Sequence, residues 1–467
     1  MDAPTRTVAA PASGEANGGR SPSPPVPAEP PLSLVRSAVL AHCGRLVGAA
    51  ATIDADTLTA ERVGVGLGYL STVYAATFTA RPTGALSSPP LPLAWQEEPS
   101  GGVSQAAPCT PQTHTVIVKV APSRAATPAL LDLHFHATEV AFFTRLAPTV
   151  ACPLLPACYG AVVDAATDAG VVVMEDLRSR GGAALPFARG LPLAAAVAAA
   201  AALGRLHAAI DAALRYGEGG AGGSAPIHPP AWADRPPAEA ARRATIVAEL
   251  FAEAAANLAA APDGWSPPLD AAEWVARPAG AGEGFLPPPP PPSFVTVTHG
   301  DAWSNNILFR RGGGAPEGGE DGGAVVPPST AAAAVGTPCV TSGGPNVDAD
   351  VDAKAAWTVV GIVDWQVATW GAGVGDLAFL WLSSVEPSVR RATGATAAVL
   401  DAYAAGVGEA APAGRGGLAA DWAAALPAAL VMCVVSADVF DSCRHRLLAA
   451  ITDVVAAREG GGPLLVT

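Results

Sequence analysis

His299-Gly300-Asp301-Ala302-Trp303-Ser304-Asn305-Asn306-Ile307-Leu308-Phe309 is the stretch from which the rest of the chain is best read. The beta-branched run Phe294-Val295-Thr296-Val297-Thr298 leads into it and predicts a strand. Asp301 and Asn306 then fall in the pattern His-x-Asp-x-x-x-x-Asn. Phosphoryl transfer from ATP asks a protein for two such groups: a carboxylate to orient an acceptor hydroxyl, and a neutral oxygen ligand to help hold Mg²⁺. A strand-end Asp followed by an Asn turn would look the same, so the partners elsewhere in the chain decide.

Moving downstream, residues 311–356 are rich in Gly, Pro, Ala and Asp and predict an insertion without a core of its own. Beyond it Trp357-Thr358-Val359-Val360-Gly361-Ile362-Val363-Asp364-Trp365-Gln366 predicts a strand ending in a carboxylate. Gly375-Asp376-Leu377-Ala378-Phe379-Leu380 opens a helix, where an acid in the first turn is also a common helix-start feature. Three further helices are expected over about 388–406, 418–440 and 443–457.

Upstream, Val63 to Phe78 alternates on both sides of Gly64, Gly66 and Gly68 and predicts a hairpin with a glycine-rich turn. Such a turn lets backbone N–H groups approach phosphates, although the spacing departs from G-x-G-x-x-G and a plain hairpin fits as well. Thr115-Val116-Ile117-Val118-Lys119-Val120 is an apolar strand with one Lys, and Val140, Phe143 and Leu146 mark the buried stripe of a helix that carries Glu139. Val171-Val172-Val173-Met174-Glu175-Asp176-Leu177 is a strand running into a polar turn, followed by a periodic helix through Leu193, Val197, Leu203, Leu206 and Ile210. His207 on that helix reads as structural.

HGDAWSNNILF resembles the catalytic loop of small-molecule kinases of the aminoglycoside phosphotransferase/choline kinase superfamily. It looks most like the ecdysteroid-kinase-like branch, also called CHK kinase-like, where a Trp and paired Asn follow the Asp. Asp364-Trp365-Gln366 fits the Asp-aromatic-Gln typical of that branch. The resemblance covers about residues 55–405. It implies an α+β, bilobal protein-kinase-like fold with a small antiparallel-sheet N-lobe and a mainly helical C-lobe. The corresponding boundaries are a disordered segment 1–32, an N-lobe 33–174 with a loop at 85–113, a C-lobe 175–458 with a Pro-rich linker at 278–293 and the insert 311–356, and a tail 459–467.

The resemblance also implies roles. Gly66, Gly68, Ser71 and Lys119 would contact ATP phosphates, with Glu139 orienting Lys119. The backbone from Glu175 to Leu177 would bind adenine. Asp301 would be the catalytic carboxylate, Asn306 and Asp364 the Mg²⁺ ligands, and His299 and Asp376 structural supports of the loop. The expected reactants are ATP, Mg²⁺ and a small-molecule alcohol. Trp303, Trp365 and Trp370 follow Asp301 and Asp364 closely and are candidates for an apolar acceptor pocket or for core positions. Two rivals are a catalytically silent kinase-like scaffold and a protein kinase. A hydrolase has no G-x-S-x-G nucleophile elbow to rest on.

Composition agrees. The 467 residues suit two lobes, and the net charge of −14 argues against nucleic acid or anionic lipid as partner. Mean hydropathy is positive because Ala is abundant, and no uncharged run reaches transmembrane length: Trp422 to Ala437 is bounded by Asp421 and Asp438. Seven scattered cysteines predict free thiols in a reducing compartment, hence a cytoplasmic location. No apolar signal core follows the start, while Arg6 and Arg20 among small residues leave organelle targeting open against Asp2, Glu15 and Glu29.

Overall fold

A computed structural model describes residues 32–47, 51–63, 71–82, 111–123, 133–216, 230–233, 237–261, 265, 292–312, 356–411 and 414–459. The N-lobe is built on a five-stranded antiparallel sheet in the order β1-β2-β3-β5-β4. Its strands are β1 (Ala51–Val63), β2 (Thr72–Pro82), β3 (Gln112–Ala121), β4 (Cys158–Asp164) and β5 (Ala169–Glu175). Side chains alternate faces along a strand, so Val116, Val118 and Val120 of β3 point one way and Lys119 the other. The valine face, with Val171 and Val173 of β5, is covered by helix α1 (Leu32–His42) through Val35, Ala38 and Val39. The Lys119 face, with Val172 and Met174, is covered by helix α2 (Phe135–Ala141) and the turn after it. A sheet buried on both faces needs an unbroken apolar run at its centre, which is what β5 supplies.

Helix α2 passes directly into a π-helical turn, Phe142–Leu146. Of the stripe expected over this region, Phe143 and Leu146 are buried and Val140 only partly so, and the last turn is widened to the longer-range hydrogen bonding of a π-helix. Phe142, Phe143 and Leu146 are all buried by it.

The C-lobe has its own core, which is continuous with the Lys119 face of the sheet. Its helices are α3 (Leu193–Tyr216), α4 (Pro237–Ala260), α5 (Val374–Ser384), α6 (Ala395–Val407), α7 (Gly414–Val439) and α8 (Arg444–Glu459). Helices α3 and α6 cross at Gly204 and Gly406; a Cβ on Gly204 would lie 2.4 Å from the Tyr403 carbonyl oxygen. Helix α3 and residues 416–439 of α7 are long and apolar enough to cross a membrane by length and composition. Here α3 packs on α6 and α5, and α7 on α5, α8 and α4.

Short strands line the top of this lobe. Strand β6 (Ala183–Ala184) pairs with β8 (Ile307–Gly312), which pairs with β9 (Ala356–Ile362). Strand β7 (Val295–Thr298) pairs antiparallel with β10 (Thr369–Ala372). The pairing of β8 with β9 narrows the sequence expectation: Arg311, Gly312 and Ala356 are strand residues, with Gly312 opposite Ala356. The remaining insert positions, the N-terminal segment, and most of the 85–113 loop and Pro-rich linker lie outside the described residues.

Candidate active site

Period-two alternation on β3 aims Lys119 at α2, where it is 4% exposed. Its Nζ lies 2.8 Å from Glu139 Oε2 and 2.6 Å from Asp364 Oδ1, joining three elements. Burial works against the Lys119 ammonium, but the charges of Asp364 and Glu139 outweigh it and hold the amine above its ordinary value. Burial likewise favours the protonated form of Glu139, opposed by Lys119. For Asp364, burial is outweighed by Lys119, which keeps the carboxyl below the usual carboxylate range. Asp364 also adopts φ 70, a left-handed conformation uncommon for a non-glycine residue and frequent at functional sites.

The loop after β7 is tied down from beneath. The backbone N–H groups of His299 and Gly300 donate to the two carboxylate oxygens of Asp376, at 2.6 and 2.8 Å. Asp376 is buried in the first turn of α5 and also receives His207 Nε2 at 3.1 Å. The other ring nitrogen of His207 meets the Tyr403 hydroxyl at 2.8 Å, so His207 spans α3, α5 and α6 as a structural link. Burial opposes the Asp376 anion, yet these donors lower its carboxyl below the ordinary range. His299 turns its own ring to the Val363 carbonyl, 2.8 Å from Nε2, and burial keeps that imidazole below its usual value. Asp376 thus meets the backbone of the loop, and the His299 ring meets the residue just after β9.

Above this brace, Asn306 Nδ2 donates to the Asp301 carbonyl at 2.9 Å and to Asp301 Oδ2 at 3.1 Å. The Asp301 carboxyl is pushed up to about 7, first by burial and next by the negative charge of Asp364. Val363 N–H donates to the Asn306 carbonyl at 2.9 Å, which holds the ends of the two strands β8 and β9 together. The donor set suits Mg²⁺. Asn306 spends its amide N–H groups on Asp301 and so turns Oδ1 away from it; Asp364 gives Oδ1 to Lys119 and offers Oδ2. Mg²⁺ takes one or two such protein oxygens and completes its shell with phosphates and water.

At the junction of the lobes, Glu175 N–H donates to the Ala157 carbonyl at 2.8 Å, and the Glu175 carboxylate pairs with Arg180. The Asp176 and Leu177 carbonyls accept from Ser179 and Gly182 N–H groups at 3.0 and 3.1 Å. Ser179 Oγ also donates to the Asp176 carbonyl at 2.7 Å and Gly181 N–H to that of Leu177, so contact with a nucleobase here falls to other backbone groups of the segment. Ser71 sits half-buried just before β2. Gly66 and Gly68 lie outside the described residues.

The tryptophans divide. Trp365 is fully buried and stacks on Phe142 with ring centroids 3.9 Å apart and planes at 4°, so it is core and does not line a pocket. Trp303 packs edge-on to Phe187 and Phe440, at 4.9 and 4.8 Å. Trp370 is half-buried on β10, opposite Val297. Among residues that sequence reasoning passed over, Phe142 and Asp168 matter most. Neither carries a local signal, since an apolar helix residue and a turn Asp occur in any fold. The five cysteines in the described residues are free thiols.

Comparison with known proteins gives one family match and several aligned solved structures. Residues 103–317, a little under half of the chain, match the ecdysteroid kinase-like family; the match includes Lys119, Glu139 and the Asp301 loop and stops short of Asp364 and Asp376. No curated protein matches the sequence. Solved structures that align with it include a choline kinase from Cryptosporidium parvum Iowa II, at 8% identity and TM-score 0.42, over 92% of this chain and 97% of that one. Aminoglycoside phosphotransferase APH(3'')-Id from Streptomyces rimosus aligns at 13% identity and TM-score 0.31, over 83% and 97%. A candidate aminoglycoside phosphotransferase from Ralstonia eutropha JMP134 aligns at 11% identity and TM-score 0.38, over 90% and 96%.

Proposed function

Taking the ecdysteroid kinase-like match as premise, we propose that this protein is an ATP-dependent small-molecule kinase that transfers the γ-phosphoryl group to an alcohol hydroxyl. The observation that carries the reading is the convergence on Lys119 Nζ of Glu139 at 2.8 Å and Asp364 at 2.6 Å, from residues 20 and 245 positions away. A buried lysine held between two carboxylates is an anion-binding group kept charged and aimed, as phosphate binding requires. Lys119 would engage the α and β phosphates, with adenine against the backbone of Glu175 to Leu177. Asn306 and Asp364 would hold Mg²⁺, which supplies charge neutralisation at the transferring group. Asp301 would orient the acceptor hydroxyl and take its proton as the new P–O bond forms and the bond to the ADP oxygen breaks.

The acceptor is read as a small molecule. Protein kinases place a long activation segment after the metal-binding Asp, which docks the peptide. Here α5 starts at Val374, ten positions after Asp364, and β10 takes up four of the residues between.

Two measurements test the proposal. Melting temperature should rise with ATP only when Mg²⁺ is present, and Asp364→Ala should abolish that rise. Asp301→Asn should keep the rise yet lose about 10²–10⁴ in turnover against whichever alcohol a metabolite panel identifies. Metal-independent stabilisation, or labelled phosphate passing to lysate proteins and to no metabolite, would overturn it.

A further inference from the structure

Helix α2 carries Glu139, and the start of that helix has no cap of its own. The residue before it, His134, is left-handed with φ 50 and makes no side-chain capping bond. The first N–H groups of a helix need an acceptor from outside the helical ladder. A carboxylate from elsewhere in the fold supplies it: Asp168 Oδ2 accepts from His136 N–H at 3.2 Å and Oδ1 from Ala137 N–H at 2.9 Å. Asp168 lies in the β4–β5 hairpin turn, is 1% exposed, and itself takes φ 51. A buried carboxylate with a strained backbone, more than thirty residues from the groups it caps, is a specific arrangement. Its negative charge also faces the positive end of the helix. Glu139 stands one turn further along, and its carboxylate is one of the two that grip Lys119.

We propose that Asp168 is a positioning residue for the phosphate-binding pair: by clamping the first turn of α2 to the sheet, it sets Glu139 against Lys119. The chain of contacts is Asp168 to the His136 and Ala137 backbone, the helical turn to Glu139, and Glu139 to Lys119. Without the clamp, α2 can turn or fray at its start, and Glu139 withdraws. Lys119 then keeps Asp364 alone, the carboxylate that Mg²⁺ binding needs under the proposed function. The consequence for catalysis rests on that function; the clamp itself does not.

The chain contains two lysines, Lys119 and Lys354, so Lys119 can be followed directly. Acetylation by N-hydroxysuccinimidyl acetate, quantified by peptide mapping, reads Lys119 against Lys354 as reference. Asp168→Ala should raise the relative Lys119 rate about fivefold, the factor equivalent to the ~1 kcal/mol of a lost helix cap. Asp168→Asn, which retains one acceptor oxygen, should fall between. Asp453→Ala, which removes the partner of Arg390 and Arg391 in the C-lobe, controls for general loosening. A Lys119 rate in Asp168→Ala equal to that in wild type or in Asp453→Ala overturns the clamp, as does Asp168→Asn matching Asp168→Ala. Should Asp168→Ala not fold, Asp168→Asn against wild type decides alone. Protection of Lys119 by Mg²⁺-ATP in the wild type tests the kinase reading separately, so one can fail while the other stands.

Discussion

Gly300 shows how little freedom the loop before Asp301 has. It holds φ 76, and a Cβ added to it would lie 2.5 Å from the Val367 carbonyl oxygen. Its N–H is also one of the two that Asp376 receives. Gly300→Ala should cost at least ~1–3 kcal/mol from the backbone alone, read as a lower denaturant midpoint at unchanged slope. An unchanged midpoint would mean that the loop relaxes freely. Asp301 makes a prediction of opposite sign. Its carboxyl is raised to about 7 in the fold, first by burial and then by Asp364, whereas an unfolded Asp titrates near ~3.9. Between those values the folded state binds the proton and the unfolded state does not, so stability falls as pH rises through the interval. In metal-free buffer Asp301→Asn should therefore melt above wild type at pH 8, with the gain shrinking by pH 5. An equal shift at both pH values would show that the carboxyl is not held protonated.

Helix α2 and the turn after β9 act as one element because Phe142 stacks flat on Trp365. Phe142 begins the π-helical turn three residues after Glu139, and Trp365 directly follows Asp364. A π turn shifts side chains relative to an α-helix and occurs mostly at functional sites; here the residue at its start forms that stack. Both rings are fully buried, so Phe142→Ala should lose ~3–5 kcal/mol. It should also reduce the Mg²⁺-ATP melting shift at a temperature where the variant is still folded. Phe142→Leu should retain most of the stability. A melting shift unaffected by Phe142→Ala would separate the two elements.

At the scale of the whole molecule, the insert leaves and returns at one paired position, Gly312 opposite Ala356. The strands β8 and β9 on either side bring the Asn306 loop and Asp364 together at the end of the hairpin away from the insert. Closing a flexible loop costs only about 0.6 kcal/mol more for each doubling of its length. Replacing 313–355 by a short Gly/Ser turn should leave the melting transition and its Mg²⁺-ATP shift in place. A replacement that fails to fold would show that the insert packs on a lobe.

Residue types at fixed short spacing are legible in the sequence itself: Asp301 with Asn306, Asp364 after its strand, Asp376 at its helix start, and Lys119 amid an apolar strand. These are set by chain geometry over a few residues, as is the period that marks β3, β5, α2 and α3, and together they determine a two-lobed α+β chain. What the sequence leaves open is everything carried by contact across long separations. That Lys119 meets Asp364, that His207 joins Asp376 to Tyr403, and that Asp168 caps α2 depend on which sheet face each strand presents and which helix covers it. The same holds for Trp365: its place beside Asp364 in the chain is equally consistent with a pocket wall and with core, and only the stack against Phe142 decides for core. Burial is a property of the assembled lobes, because a side chain's neighbours are chosen by the packing of distant elements and not by the residues next to it in the chain.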